Sequence, residues 1–250
     1  MNLILYGVIG SFVGIAAGLI VLWKKEEVKR IMTPLLAFAA AAFLAVSFLD
    51  LLPEAVEGVQ EPHFVFVAFL IGVTVFFALE RVLMKYFRTH AHTHGEHEDE
   101  HTESLPALII VGDSLHNFLD GIAIAIAYVA DPALGLTAAI AIAAHEIPQE
   151  ISDFSILIDR GWSNKKVMLT NIYCGLATFV GIGIGYVAVS AIEGWLPYLL
   201  AAVAGIFAYI GLSDLIPEVH HRAGHKYLFR VLFPFIAGLI IVGYIVFKAH

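Results

Sequence analysis

Apolar runs of about twenty residues recur along this chain, separated by short polar intervals. They fall at 2–23, 32–54, 63–86, 105–130, 133–158, 165–190, 195–218 and 228–247. Each is long enough to cross ~30 Å of hydrocarbon as a helix rising ~1.5 Å per residue. The runs are continuous, whereas a membrane β-barrel would alternate apolar and polar positions. The pattern predicts an all-α integral membrane protein of eight spans, folded as one polytopic domain over residues 1–250. The first run (MNLILYGVIGSF onward) has neither a basic leader nor a cleavage site, and is expected to be the first span.

The runs also resemble one another. FLAVSFLDLLPE (43–54) and FAYIGLSDLIPE (207–218) share Phe, Asp, Leu, Pro and Glu at an offset of 164. Spans 2 and 7 cross in opposite directions, so the pair predicts an inverted repeat of spans 1–3 and 6–8. Spans 4 and 5 are antiparallel as well, with His116 matching His145 and Asp120 matching Gln149 at an offset of 29. Inverted repeats around a polar midplane site are the architecture of alternating-access carriers. The glycines fit close helix packing: Gly7, Gly10, Gly14 and Gly18 include two G-x-x-x-G steps. GIGIG at 181–185 has no preceding strand, which a phosphate-binding loop requires.

Composition supports the membrane class. Hydrophobic residues make up 60% and charged residues 14% of the chain, against about 25% charged in soluble domains. The basic residues sort by side. Lys24, Lys25, Lys29 and Arg30 follow span 1; Arg81, Lys85 and Arg88 close span 3; Arg160, Lys165 and Lys166 follow span 5; Arg222, Lys226 and Arg230 follow span 7. Only Lys248 falls on the opposite side. The positive-inside rule makes those loops cytoplasmic and both termini extracytoplasmic, in a multi-pass protein of the cell membrane. The single cysteine, Cys174, rules out an intrachain disulfide.

Against this background, spans 4 and 5 are anomalous. DSLHNFLDG (113–121) and HEIPQEISD (145–153) place Asp113, Asp120, Glu146, Glu150 and Asp153 among apolar residues, beside His116, Asn117, His145 and Gln149. An acid at mid-membrane costs about 2.5–3.5 kcal/mol, so five cost roughly 12–17 kcal/mol if uncompensated. No lysine or arginine lies between Arg88 and Arg160. A bound divalent cation supplies the missing charge. Helical spacing sets His116 and Asp120 on one face at i, i+4, and His145 and Gln149 repeat it. Two imidazoles, a carboxylate and an amide suit Zn²⁺, Fe²⁺, Mn²⁺ or Co²⁺. Asn117, Asp120 and Glu146 form a candidate adjacent oxygen-rich site, with Asp120 bridging. Pro148 cannot donate to the Ala144 carbonyl, which frees a backbone oxygen there. Asp113, Glu150 and Asp153 lie a turn or so away and are candidates for pathway or proton-handling groups.

These motifs resemble those of the ZIP (Zrt/Irt-like) divalent-metal transporters. HNFLDG and HEIPQE are similar to the signature helices of the branch with His-Asn-x-x-x-Gly and His-Glu-x-Pro-His-Glu. The resemblance implies import of divalent metal into the cytoplasm by alternating access, in a homodimer within the lipid bilayer. Carried over by position, His116, Asp120, His145 and Gln149 hold the transported metal, and Asn117, Asp120, Glu146 and Gln149 surround a second ion. Zinc is the foremost substrate, with iron, manganese, cobalt and cadmium as further candidates. No other cofactor and no nucleic-acid partner is expected. Gln149 stands where the branch has histidine, which makes the site harder and leaves room for iron or manganese. In TNIYCGLAT (170–178), Asn171 and Cys174 occupy positions that are often polar in the family. The competing class is an intramembrane zinc-dependent hydrolase, which uses His-Glu-x-x-His. HEIPQ lacks the second histidine, so a non-enzymatic role is expected.

Acids also mark the mouths. Asp50 and Glu54 end span 2 on the outer side; Asp214 and Glu218 end span 7 on the inner side, followed by His220, His221 and His225. Such acids concentrate cations, although helix ends carry polar residues for solubility as well. The interval 89–103 (THAHTHGEHEDEHTES within 89–104) holds His90, His92, His94, His97 and His101 with five acids. It is expected to be a disordered cytoplasmic loop, serving as a metal sensor or sink or as a solvated linker.

Overall fold

The polar intervals between the apolar runs do not all break the helices. The computed structural model describes residues 2–92, 104–190, 193–223 and 228–249, and every regular element among them is helical. In chain order these are α1 (Asn2–Val46), a π-helical turn (Ser47–Leu51), α2 (Leu52–Glu57), α3 (Pro62–His92), α4 (Ser104–Ala130) and α5 (Pro132–Asp159). There follow α6 (Asn164–Ser190), a 3₁₀ turn (Glu193–Trp195), α7 (Leu196–Tyr209), a second π segment (Ile210–Leu215), α8 (Ile216–Ala223) and α9 (Leu228–Ala249).

The interval expected between spans 1 and 2 has helical backbone, since KKEEVKR contains neither glycine nor proline and consists mostly of helix formers. A straight helix the length of α1, 45 residues, would measure roughly 67 Å. The contacts exclude that shape. Gly14 lies against Glu146, while Phe43 packs on the adjacent His145 at a ring distance of 4.7 Å. On one straight helix those two residues would be roughly 43 Å apart. The two halves of α1 therefore lie side by side on α5, reversing between Gly18 and Met32, both of which pack near Phe154. Residues 2–20 and 30–57 are separate membrane-length segments. A second departure is at α3, which continues through His92, four residues into the interval expected as loop; no glycine or proline occurs there before Gly95.

Among the described residues, seven segments are long and apolar enough to cross a membrane. The eighth helix, α5, has 28 residues, but its histidine, glutamine and acids leave it less apolar than the rest. It is sharply bounded. Asp131 caps its start, accepting from the Ala133 amide at 2.6 Å beside Pro132. Gly161, at φ +80°, ends it, and the Trp162 amide reaches back to the Leu157 carbonyl at 3.1 Å.

Packing relies on small residues. Ala39, Ala40, Ala41 and Ala42 are all fully buried, so the second half of α1 is a central helix. A Cβ on Gly72 of α3 would sit 2.0 Å from the Ala202 carbonyl oxygen of α7, and one on Gly238 of α9 would sit 2.9 Å from the Phe38 oxygen of α1. Such approaches exclude a side chain. Helices α3 and α9 turn Phe64, Leu70, Phe229, Phe233 and Phe247 outward, the expected faces toward lipid. The polar residues of α5 fall between two apolar cores, with Ile142 in one and Ile151, Phe154 and Leu157 in the other.

Candidate metal centre

Helix α4 presents Asp113, His116, Asn117 and Asp120 on successive turns, facing His145, Glu146, Gln149 and Glu150 of α5. The His116 and His145 Nε2 atoms are 2.6 Å apart. Asp120 Oδ2 lies 3.6 Å from the first and 3.7 Å from the second, and Glu146 Oε1 lies 3.6 Å from His145 Nε2. One ligand atom from each of these four residues falls within 4.8 Å of the others. A tetrahedral ion ~2.0–2.1 Å from both nitrogens needs them roughly 3.3 Å apart, a separation reached by a small rotation of either ring.

A second group of ligand atoms comes from Asp113, Glu146 and Glu150, again within 4.8 Å of one another. Glu146 is thus common to both clusters. Both oxygens of Glu146 and of Glu150, and Oδ2 of Asp113 and of Asp120, are buried without a hydrogen-bond partner. Orphaned buried carboxylate oxygens are expensive in a low-dielectric interior, and a cation is the chemistry that satisfies several together.

Amides surround Asp113. The Asn117 side-chain nitrogen donates to its Oδ1 at 3.0 Å, and the Gln149 nitrogen donates to the same atom at 3.1 Å. The Asn117 oxygen accepts from the Thr178 hydroxyl of α6 at 2.9 Å. Within TNIYCGLAT, Thr178 reaches this network through Asn117, and the Cys174 thiol interacts with the Asp113 carboxylate itself. Asn171 instead donates to the Val167 carbonyl of its own helix at 2.8 Å, and Cys174 accepts from the Ser114 hydroxyl at 3.4 Å. Thr178 was not singled out from sequence, because one threonine in an apolar helix is unremarkable until its facing helix is known. The same applies to Phe43 and Phe207, fully buried and edge-to-face at 4.8 Å, with Phe43 resting on the His145 ring.

Of the remaining acids, Asp50, Glu54, Asp153 and Glu218 lie along two clefts. One, of about 250 Å³, is lined by His145, Pro148, Gln149, Ser152 and Asp153 with Leu215, Glu218 and Arg222, so it connects the histidine cluster to the end of α8. Glu218 accepts from the Arg222 guanidinium there. Asp214 is not among its lining residues, and His220 and His221 are exposed on α8. The other cleft, of about 420 Å³, lies between α2 and α9 and is lined by Asp50, Glu54, Glu57, Val246 and Phe247. Asp50 is buried and accepts from the Thr137 hydroxyl. His90 and His92 belong to the last turn of α3 by backbone, while His94, His97, His101 and His225 lie outside the described residues. Tyr209, hydrogen-bonded to Glu80 of α3, is a further polar contact not anticipated from sequence.

Comparison with known proteins adds an independent line. The family model described as "ZIP Zinc transporter" matches residues 1–108 and 94–246. "Zinc transporter foi" of Drosophila melanogaster is 38% identical over 136 residues, 54% of this chain and 19% of that protein. "Zinc transporter ZIP10" of Danio rerio is 33% identical over 126 residues, 50% of this chain and 15% of the relative. "Zinc transporter ZIP4" of Mus musculus is 37% identical over 115 residues, 46% and 17% respectively. Each match covers less than a fifth of the relative's length.

Proposed function

The chain belongs to the ZIP family, whose members are transporters rather than enzymes, and on that premise we propose that it imports divalent transition metal, zinc foremost, into the cytoplasm. In this reading His116, Asp120, His145 and Glu146 form the transport site, with Glu146 in the role expected of Gln149, whose amide is turned to Asp113. The observation that carries it is a pair of facing imidazoles beside buried carboxylates with unpartnered oxygens, in helices without a lysine or arginine. A hydrolase reading loses its footing, since the position of its second histidine is Gln149, whose amide is turned to Asp113.

The reading extends to eight spans, an inverted repeat and alternating access. Ala202 is Phe38 displaced by 164, and the contacts of these two residues with Gly72 and Gly238 are counterparts across the repeat. Likewise Thr178 is Gly14 displaced by 164 and Asn117 is Glu146 displaced by 29; Gly14 touches Glu146 as Thr178 touches Asn117. Both π segments fall in the repeated motif, each just before a proline, Pro53 or Pro217. The histidine cluster connects to the cleft at Arg222, on the side that thirteen of fourteen basic residues assign to the cytoplasm. Toward the other cleft stand Phe43, Val46 and Phe207, all fully buried. That arrangement is an inward-facing carrier with its outer path shut. Extracytoplasmic termini, a cell-membrane location and a homodimer complete the proposal.

The test is metal uptake by His116→Ala and His145→Ala in vesicles. Each variant removes a nitrogen ligand and is expected to lose most zinc uptake while still inserting into the membrane. Near-wild-type uptake in both, at matched protein levels, sinks the central site.

A further inference from the structure

We propose that Arg222 governs metal release: its guanidinium holds Glu218 as a tethered counter-cation at the inner mouth, so that a divalent ion leaving the histidines is neither trapped there nor drawn back. The inference rests on the transport reading and adds to it a residue that acts on the exit step.

The inner cleft has two walls of helical spacing. On α5, His145, Gln149, Ser152 and Asp153 fall on one face; opposite them Leu215, Glu218 and Arg222 follow at steps of three and four. The cleft, about 250 Å³, therefore begins at a ligand of the transport site and ends among charged side chains. Asp153 comes from one wall and Glu218 from the other, and carboxylates are strong donors for a divalent ion that has just been released. A conducting path needs sites weak enough to leave.

Arg222 meets that need. Among the described residues it is the one lysine or arginine that lines this cleft. Its Nε donates to Oε1 of Glu218, four residues earlier on the same helix, in the acid-first order that favours such pairs. Arginine keeps its charge throughout the physiological pH range, so Glu218 is held whatever the cytoplasmic pH. The same charge opposes re-entry of a divalent ion with twice the force it exerts on a monovalent one. Both side chains are 40% exposed, so the pair adds little to stability. For helix stability alone it would serve equally on the face of α8 where His220 and His221 are exposed. Its place in the cleft is what the exit step explains.

The experiment uses the full chain in right-side-out membrane vesicles, with free Zn²⁺ inside fixed by a metal buffer, and reads how internal zinc inhibits initial zinc uptake at matched protein levels. Arg222→Gln is expected to reach half-inhibition at a roughly three- to tenfold lower internal Zn²⁺ than the unsubstituted protein, because Glu218 is released to the metal. Arg222→Lys keeps the charge and is expected to stay within about twofold of the unsubstituted value. Glu218→Gln combined with Arg222→Gln is expected to lose the added sensitivity, since the freed carboxylate is gone. An unchanged half-inhibition in Arg222→Gln overturns the proposal. So does a double variant as sensitive as Arg222→Gln, or a lysine that fails to rescue. Failure of the transport reading is a separate result, seen as zinc uptake that persists in His116→Ala and His145→Ala in the same vesicles without internal metal.

Discussion

Gln149 is the residue at which metal choice is most exposed to a single change. Its amide nitrogen lies 3.1 Å from Asp113 Oδ1, and its side chain lines the inner cleft beside His145. A histidine at this position adds an imidazole one turn from His145 and removes one amide from Asp113. The first change favours zinc and the second loosens the oxygen-rich cluster, so Gln149→His is expected to raise zinc uptake relative to manganese. Competition uptake with both ions measures the ratio. If the ratio does not move, residue 149 has no part in selection. The ligand types at this scale were legible from sequence, because a buried acid or histidine in an apolar span needs a partner whatever surrounds it. The partnership between Asn117 and Thr178 was not, since it depends on how α6 is rotated against α4.

At the level of the helix, close approach matters more than propensity. A Cβ on Gly14 would fall 2.8 Å from the Glu146 Cβ and 2.9 Å from its backbone carbon. Gly14→Ala must therefore push α1 away from α5 at the residue shared by both clusters. Overpacking of this kind costs about 1–3 kcal/mol, so a lower unfolding temperature in detergent and reduced uptake are expected together. Gly183 of α6 is the control, as nothing lies within 4 Å of an added Cβ there. Gly183→Ala gains up to ~1 kcal/mol in helix propensity and leaves uptake intact. Equal effects of the two substitutions would mean that the α1–α5 contact does not constrain the site. Sequence identified the glycine steps of span 1 as packing positions. It did not foresee helical backbone through the reversal in α1, because the polarity of the charged interval reads as a break between spans although no helix breaker is present.

Across the whole molecule, the proposed transport reading gives the acids of the two clefts different tasks. Asp50, Glu54 and Glu57 line the cleft beside α9, which neither His116 nor His145 lines, and Phe43, resting on His145, packs against Phe207. Asp153 and Glu218 line the cleft that reaches His145. Neutralising Asp50 and Glu54 together is expected to slow uptake mainly at low external metal, where electrostatic capture limits the rate. Glu218→Gln, which also releases Arg222 into the inner cleft, is expected to lower the maximum rate with less effect at low concentration. Initial-rate curves separate the two outcomes, and indistinguishable curves would show that the clefts do not divide capture from release. The sequence reading paired Asp214 with Glu218, but only Glu218 lines the inner cleft; the π segment Ile210–Leu215 sets the rotation of the residues it contains.

What the chain determines by itself follows from quantities that are local along it. Transfer of apolar residues into hydrocarbon is additive over a run, so the membrane class and the approximate spans are written in composition. The cost of a buried charge is also a property of the residue, which marks Asp113, His116, Asp120, His145, Glu146 and Glu150 as needing compensation. Tertiary structure decides which of them meet. The rotation and depth of α4 against α5 give Glu146 to both clusters, and the approach of α6 brings Thr178 to Asn117. The reversal within α1 lays two helices against α5. Those outcomes depend on side-chain volumes on several helices at once, and no single stretch of sequence contains them.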